Sequence, residues 1–309
     1  MEEKMTDVTI VGCGVAGMSC SLYLQRAGIK PLILGDLGLS SLANSPEVKN
    51  YPGIQSISGV DLLFNMQSQI SSMGNVEFIS ENCENLSLFD NSIILTTESS
   101  RIISKHVVIA SGRRPRLLGI NGEEQLIGNG ISTCAYCDGN LYEGKSIAIV
   151  GGGNSAVEEA IYLSKIVSHI DMIIRKDHLR SELPENDLND LKNVSIMFNT
   201  EICEATKEND RMLVRLSSGV LKEYDGIFYA IGQIPNTDFL PEECKDKFGY
   251  AFDSLPIRRN IYGEKNISDK NENWLLSAGD VSNDVINKQA ITAAASGASK
   301  AMFLIEKML

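Results

Sequence analysis

Basic residues are in deficit in this 309-residue chain: 28 lysines and arginines face 40 acidic residues, a formal charge of −12. A chain so charged is repelled on average by phosphate backbones and anionic membrane surfaces, which excludes non-specific nucleic-acid binding and makes a membrane partner unexpected. Long apolar runs are also missing. None approaches the roughly 20 residues that cross a bilayer, and Met1-Glu2-Glu3-Lys4-Met5 lacks the apolar core of an export signal, so the expectation is a cytoplasmic protein. Histidine is scarce, with only His106, His169 and His178. Seven cysteines, an odd number, fit reduced thiols better than a secreted disulfide scaffold.

What is present is the composition of a folded protein, 43% hydrophobic and 22% charged, at a length that suggests two compact domains. Asp7 to Val11 is a β-branched run that leads into Gly12-Cys13-Gly14-Val15-Ala16-Gly17 and then a helical stretch, Met18 to Ala27. Gly28 ends that helix, and Ile29 to Leu34 reads as the returning parallel strand. Glycines between a strand and a helix allow a tight turn and let backbone N–H groups approach a pyrophosphate. Asp36 stands where a ribose-binding acid is expected, and equally where a turn aspartate would sit.

The arrangement recurs. Ser146 to Val150, Gly151-Gly152-Gly153-Asn154-Ser155-Ala156, a helix from Val157 to Ile166 and a strand from Ile170 to Ile174 form a second such unit. Two placed fingerprints imply two nucleotide-bearing ligands. At the end of the second returning strand, Arg175, Lys176 and Arg180 suit a ribose 2′-phosphate and so favour NADPH over NADH, the alternative being a basic surface loop. His178 reads as a solvated bystander. Val107 to Gly112 and Gly226 to Gly232 are near-duplicate strand-to-glycine endings that suit crossings between domains.

Cys134-Ala135-Tyr136-Cys137 carries the strongest chemical signal, because this spacing closes a small disulfide ring and lowers the pKa of an attacking thiolate. Zinc is the rival reading. It would require two further thiolate or imidazole ligands, and no second CxxC exists. Asp138 follows directly, as a proton donor to the dithiol or as a helix N-cap. Cys13, Cys20, Cys83, Cys203 and Cys244 read as small buried hydrophobes.

These residues, with Glu47-Val48-Lys49-Asn50-Tyr51-Pro52-Gly53 and Ala278-Gly279-Asp280-Val281, resemble the bacterial low-molecular-weight thioredoxin reductases over nearly the whole chain. The resemblance implies an α/β fold of two Rossmann-like dinucleotide-binding domains, the second inserted into the first. Residues 1–114 and 243–309 would bind FAD, and residues 115–242 would bind NAD(P)H and carry the CxxC. It further implies a homodimer whose NADPH domain rotates, with thioredoxin or a thioredoxin-like protein as partner.

Carried onto this chain, Cys137 would face the flavin, Cys134 would attack the thioredoxin disulfide, and Asp138 would donate the proton. FAD would be held by Gly12, Gly14, Val15, Ala16, Gly17, Asp36, Asn50, Gly112, Gly279, Asp280, Lys288, Gln289 and Ala290. NADPH would be held by Gly151, Gly153, Asn154, Ser155, Ala156, Arg175, Lys176 and Arg180. Three departures mark a divergent paralogue. Gly38-Leu39-Ser40-Ser41-Leu42 lacks the family's glutamine, Ile174 and Lys176 replace a histidine and an arginine, and Asn266 to Asn273 replaces a Thr-x-x-Pro-Gly approach. The alternatives are the same disulfide chemistry with ferredoxin as donor, and a flavin-bound redox sensor.

Overall fold

The computed structural model describes residues 1–89, 92–181, 188, 190–257, 273–285 and 287–309. The chain divides into two compact units, Met1–Arg114 with Pro235–Leu309, and Pro115–Ile234.

The first unit is built on β1 (Glu2–Val11), whose inner half Val8-Thr9-Ile10-Val11 is wholly buried, as expected of a parallel strand covered on both faces. Its buried Thr9 hydroxyl donates to Ser104 Oγ at 3.0 Å, which satisfies the one polar group in that stretch. β1 pairs in parallel with β2 (Pro31–Leu34) and with β6 (Ser100–Ile109), and β2 pairs with β3 (Glu77–Ile79). The hairpin β4 (Asn85–Phe89) and β5 (Ser92–Thr96) joins β6 antiparallel. The late strands β17 (Ser254–Ile257) and β18 (Asn273–Ser277) complete the sheet, β18 lying parallel against β6. Helices α1 (Val15–Arg26) and α6 (Ala290–Met308) pack together, with Ser19 Oγ donating to the Ala294 carbonyl at 2.7 Å. A further helix, α2 (Gly59–Ser71), is capped by Ser58, whose hydroxyl accepts from the Asp61 N–H.

The second unit holds a five-stranded parallel sheet in the order β11 (Val194–Met197), β10 (His169–Ile173), β9 (Ser146–Val150), β15 (Gly226–Tyr229) and β8 (Ile131–Ser132). Short helices α3 (Glu123–Leu126) and α4 (Ala135–Asp138) and the longer α5 (Asn154–Leu163) accompany it. An antiparallel sheet of β12 (Ile202–Glu208), β13 (Arg211–Leu216) and β14 (Leu221–Tyr224) buries Met212 and Val214 against Ile173 and Tyr229.

Each crossing carries a short strand, β7 (Arg113–Pro115) in the first and β16 (Gln233–Pro235) in the second. The second crossing lies at Ile234–Pro235, earlier than the boundary at 242–243 read from the sequence. The reason is local bonding to the first unit. Ser111 Oγ donates to the Asn236 carbonyl at 2.6 Å, the Leu86 N–H donates to the Phe239 carbonyl at 2.9 Å, and Leu240 is buried among Leu86, Ile93 and Ile109. Among the described residues no helix is long and apolar enough to cross a membrane. The divergent stretch from Asn266 lies outside the described residues except for Asn273.

Candidate active site

The two glycine turns are built alike. Gly12 has φ +111°, and a Cβ there would stand 2.3 Å from the Ala110 carbonyl oxygen. Gly151 has φ +142°, and its Cβ would meet the Ala230 carbonyl oxygen at 2.4 Å. In each turn the first glycine is thus required both by backbone conformation and by a neighbouring strand end. The duplicated strand-to-glycine endings seen in the sequence are these neighbouring strands, since the Ala110 N–H donates to Val11 and the Ala230 N–H to Val150.

Around the first turn the fold gathers residues from both ends of the chain. Gly14 caps α1, which opens with Val15, Ala16 and Gly17. Gly279 to Val281 form a short turn after β18, and Gln289 caps α6, whose first residue is Ala290. Asn50 Nδ2 donates to Gln289 Oε1 at 3.3 Å, joining two candidates 239 positions apart. Gly112 sits at the first crossing, where its carbonyl accepts from the Asn236 N–H. Asp36 lies at the end of β2 but is exposed, and its carboxylate accepts from the Gly38 N–H at 2.8 Å, the turn role weighed for it from the sequence.

Asp280 is the acid of this region. One oxygen, Oδ2, accepts from Arg113 Nε at 3.2 Å, while the buried Oδ1 has no hydrogen-bond partner among the described residues. Burial pushes the Asp280 carboxyl up, and the nearby Arg113 and Lys288 charges oppose that shift. Lys288 Nζ donates to the Ser282 carbonyl at 2.6 Å, and burial holds its pKa below the ordinary lysine value. An orphaned buried acceptor flanked by two cations fits a ligand that carries hydroxyl donors and phosphates, as FAD does.

In the second unit, Asn154, Ser155 and Ala156 open α5 directly after Gly153. Arg175 and Lys176 are exposed and follow the end of β10, while the Arg180 N–H donates to the Gly152 carbonyl at 2.7 Å. The fold therefore ties the backbone of Arg180 to the second glycine turn, with Arg175 and Lys176 just beyond β10, the strand paired with the one that leads into that turn. His178 is exposed, and its ring nitrogen lies 2.6 Å from the carboxylate of its neighbour Asp177.

Cys134 and Cys137 form a disulfide with Cα atoms 5.3 Å apart. Cys134 precedes the single turn of α4, and the Cys137 and Asp138 N–H groups both donate to its carbonyl. Asp138 closes α4 and stands at the N-cap position of the following 3-10 turn, Gly139–Tyr142, but its carboxylate makes no capping hydrogen bond there. Its Oδ2 accepts from Ser132 Oγ at 2.7 Å and its buried Oδ1 has no partner among the described residues. Burial raises the Asp138 carboxyl, against the opposing Ser132 bond, so the acid sits in a setting suited to holding a proton beside the dithiol. Tyr136 stacks on Tyr162 of α5 at 4.7 Å between centroids, fixing the turn to the helix.

Among the described residues no group of three or more His, Cys, Asp or Glu side chains could hold a metal ion. Burial pushes the thiols of Cys13 and Cys244 up to about 11 and those of Cys20 and Cys83 up to about 12, which makes them poor nucleophiles at neutral pH. Two depart from the expectation of burial: Cys83 is half-buried, and Cys203 is exposed on β12 of the smaller sheet.

Sequence reading missed Arg113, Ser132 and Glu159. Glu159 is a half-buried residue on α5 whose buried Oε2 has no hydrogen-bond partner among the described residues, and burial of the carboxyl pushes it from 4.5 to about 7. Between those values the folded chain keeps a proton that the unfolded chain releases, so stability falls as pH rises through this window and is level above it. Glu159→Gln should therefore remove a pH-dependent loss of about 3 kcal/mol between about pH 4 and pH 8. Urea titrations at both pH values would show this as a smaller difference in the variant, and an unchanged difference would contradict it.

A family model for pyridine nucleotide-disulphide oxidoreductases matches residues 6–297. A thioredoxin reductase of Borreliella burgdorferi is 36% identical over 301 residues, covering 94% of this chain and 88% of that protein. The chain belongs to this family, among the thioredoxin reductases. A thioredoxin reductase family relative in Coxiella burnetii is 33% identical over 95% of this chain and 93% of its own length. The thioredoxin reductase structure from Streptococcus pyogenes, 28% identical, superposes with a TM-score of 0.84 over 98% of both chains. The fold is accordingly α/β with two Rossmann-like dinucleotide-binding domains, and the redox pair of this thioredoxin reductase family member is Cys134 with Cys137.

Proposed function

We propose that this chain carries electrons from NADPH through FAD and the Cys134–Cys137 pair to the disulfide of thioredoxin or a thioredoxin-like protein, as a cytoplasmic homodimer. The observation that carries the reading is the disulfide set beside one helical turn with Asp138, an acid whose second oxygen is buried and has no partner among the described residues. When bound, the nicotinamide supplies a hydride and the flavin relays its two electrons.

Those two electrons break the Cys134–Cys137 bond, and Asp138 holds or returns the proton that the emerging thiol requires. The Cys134 thiolate then attacks a disulfide sulfur of the partner, displacing the partner's other sulfur as a thiolate. Cys137 attacks the Cys134 sulfur in turn, which releases the reduced partner and restores the Cys134–Cys137 disulfide. Two electrons enter and two leave. In the same reading the glycine turn at Gly12, with Asp280, Lys288 and Gln289, holds FAD, and the turn at Gly151, with Arg175, Lys176 and Arg180, holds NADPH.

The purified protein should be yellow and should release about one FAD per chain on denaturation, as one dinucleotide fingerprint in the first unit implies. Anaerobic addition of NADPH should then bleach the flavin. A colourless protein that cannot be loaded with FAD would defeat the proposal, whereas a flavoprotein bleached by reduced ferredoxin and not by NADPH would replace the donor.

A further inference from the structure

Arg113 and Arg114 are neighbours on β7 and point to different partners, as alternation along a strand requires. Arg114 takes the exposed side, where its guanidinium donates to Asn236 Oδ1 at 2.8 Å and to Asp238 Oδ2 at 2.9 Å. Arg113 is directed to Asp280, across 167 positions of sequence, with about three-quarters of both side chains removed from solvent. A second cation is near, but Lys288 is pinned elsewhere, by the Ser282 carbonyl and 5.1 Å above the Tyr250 ring. Arg113 alone among the described residues makes a hydrogen bond to the Asp280 carboxylate, and it occupies one oxygen of the two.

A carboxylate rotates about its last bond, so fixing one oxygen fixes the direction of the other. We infer that Arg113 is a positioning residue for the flavin dinucleotide, holding Oδ2 of Asp280 so that Oδ1 is presented to a hydroxyl of the cofactor's sugar-alcohol portion. The inference rests on the reading that the first unit binds FAD. It assigns Arg113 an action through Asp280, not a direct grip on the phosphates. It also accounts for an otherwise costly feature, since the penalty of a buried carboxylate oxygen without a donor is relieved when a ligand hydroxyl supplies one.

The test is a double-mutant cycle on the flavin-stripped protein, titrated with FAD and followed by quenching of flavin fluorescence. Arg113→Ala should weaken FAD by about ten- to a hundredfold, the worth of one charge-assisted hydrogen bond. Arg113→Lys should recover most of that loss. In an Asp280→Asn background, Arg113→Ala should cost less than about threefold more, because the group it acts through is gone. A parent-like circular dichroism spectrum and a parent-like cooperative urea transition check that each variant is folded, since NADPH binding reports only on the other unit, and Arg113→Gln replaces Arg113→Ala if the latter fails to fold. Full additivity of the two substitutions, or unchanged FAD affinity in Arg113→Ala, would overturn the inference. A parent protein that does not quench FAD fluorescence would instead overturn the flavin reading on which it rests.

Discussion

Replacing either Cys134 or Cys137 with serine is expected to lower turnover of a protein disulfide by about ten-thousandfold or more, the scale of losing a covalent nucleophile. Neither substitution should abolish reduction of the bound flavin by NADPH, because the nucleotide turns and the dithiol use different residues. The two variants should differ in what they trap. Cys137→Ser leaves Cys134 to attack a partner disulfide with no thiol to release it, so a stable mixed disulfide should accumulate with thioredoxin. Cys134→Ser should form little of it. Non-reducing electrophoresis of both variants mixed with oxidised thioredoxin checks this, and a mixed disulfide in Cys134→Ser alone would reverse the two assignments. Asp138→Asn should retain the disulfide and slow its exchange, most strongly at alkaline pH, where solvent supplies few protons.

The second large effect concerns the nucleotide. Arg175→Ala should weaken NADPH by about ten- to a hundredfold and NADH by less than about threefold, because only NADPH offers a 2′-phosphate to the guanidinium. Arg175 and Lys176 are exposed at the end of β10, and Arg180 is tied by its own N–H to Gly152 of the second glycine turn. The charge is therefore shared, and the single variant should fall toward the smaller figure. Equilibrium titration with both nucleotides measures the ratio. Equal losses for NADPH and NADH would remove the 2′-phosphate from this loop.

Local pattern carried most of the architecture. β9 was read residue for residue, and the glycine fingerprints were placed between the right strand and helix because their geometry is short-range. The readings failed where the deciding forces were distant. β1 extends back to Glu2 because its polar outer half pairs with Ser100 to Ser104 and is edged by the ion pairs Lys4–Glu77 and Arg101–Glu3, none of which leaves an apolar signature. α5 begins at Asn154, since a helix can start on polar residues once the turn before it is fixed. At the site, Cys134, Cys137 and Asp138 were legible because they are adjacent. Arg113 looked like one more surface arginine, because Asp280 is remote in sequence. Glu158 and Glu159 look alike as letters, and only packing buries a carboxyl oxygen of the second and exposes the first.

The first unit's sheet places β18 against β6, and its α1 packs on α6, so its core and its glycine turn are completed by residues after Asn273. During synthesis, the first 114 residues leave the ribosome without the strand and helix that cover them. The second unit, whose five-stranded and three-stranded sheets both lie within residues 131–229, is complete in one stretch before β18 is made and can fold while translation continues. Nascent chains halted before β18 should thus present a protease-resistant second unit and an apolar, unfinished first one. Flavin capture then becomes a late event of biogenesis, and the interval before it is when the chain most needs a chaperone.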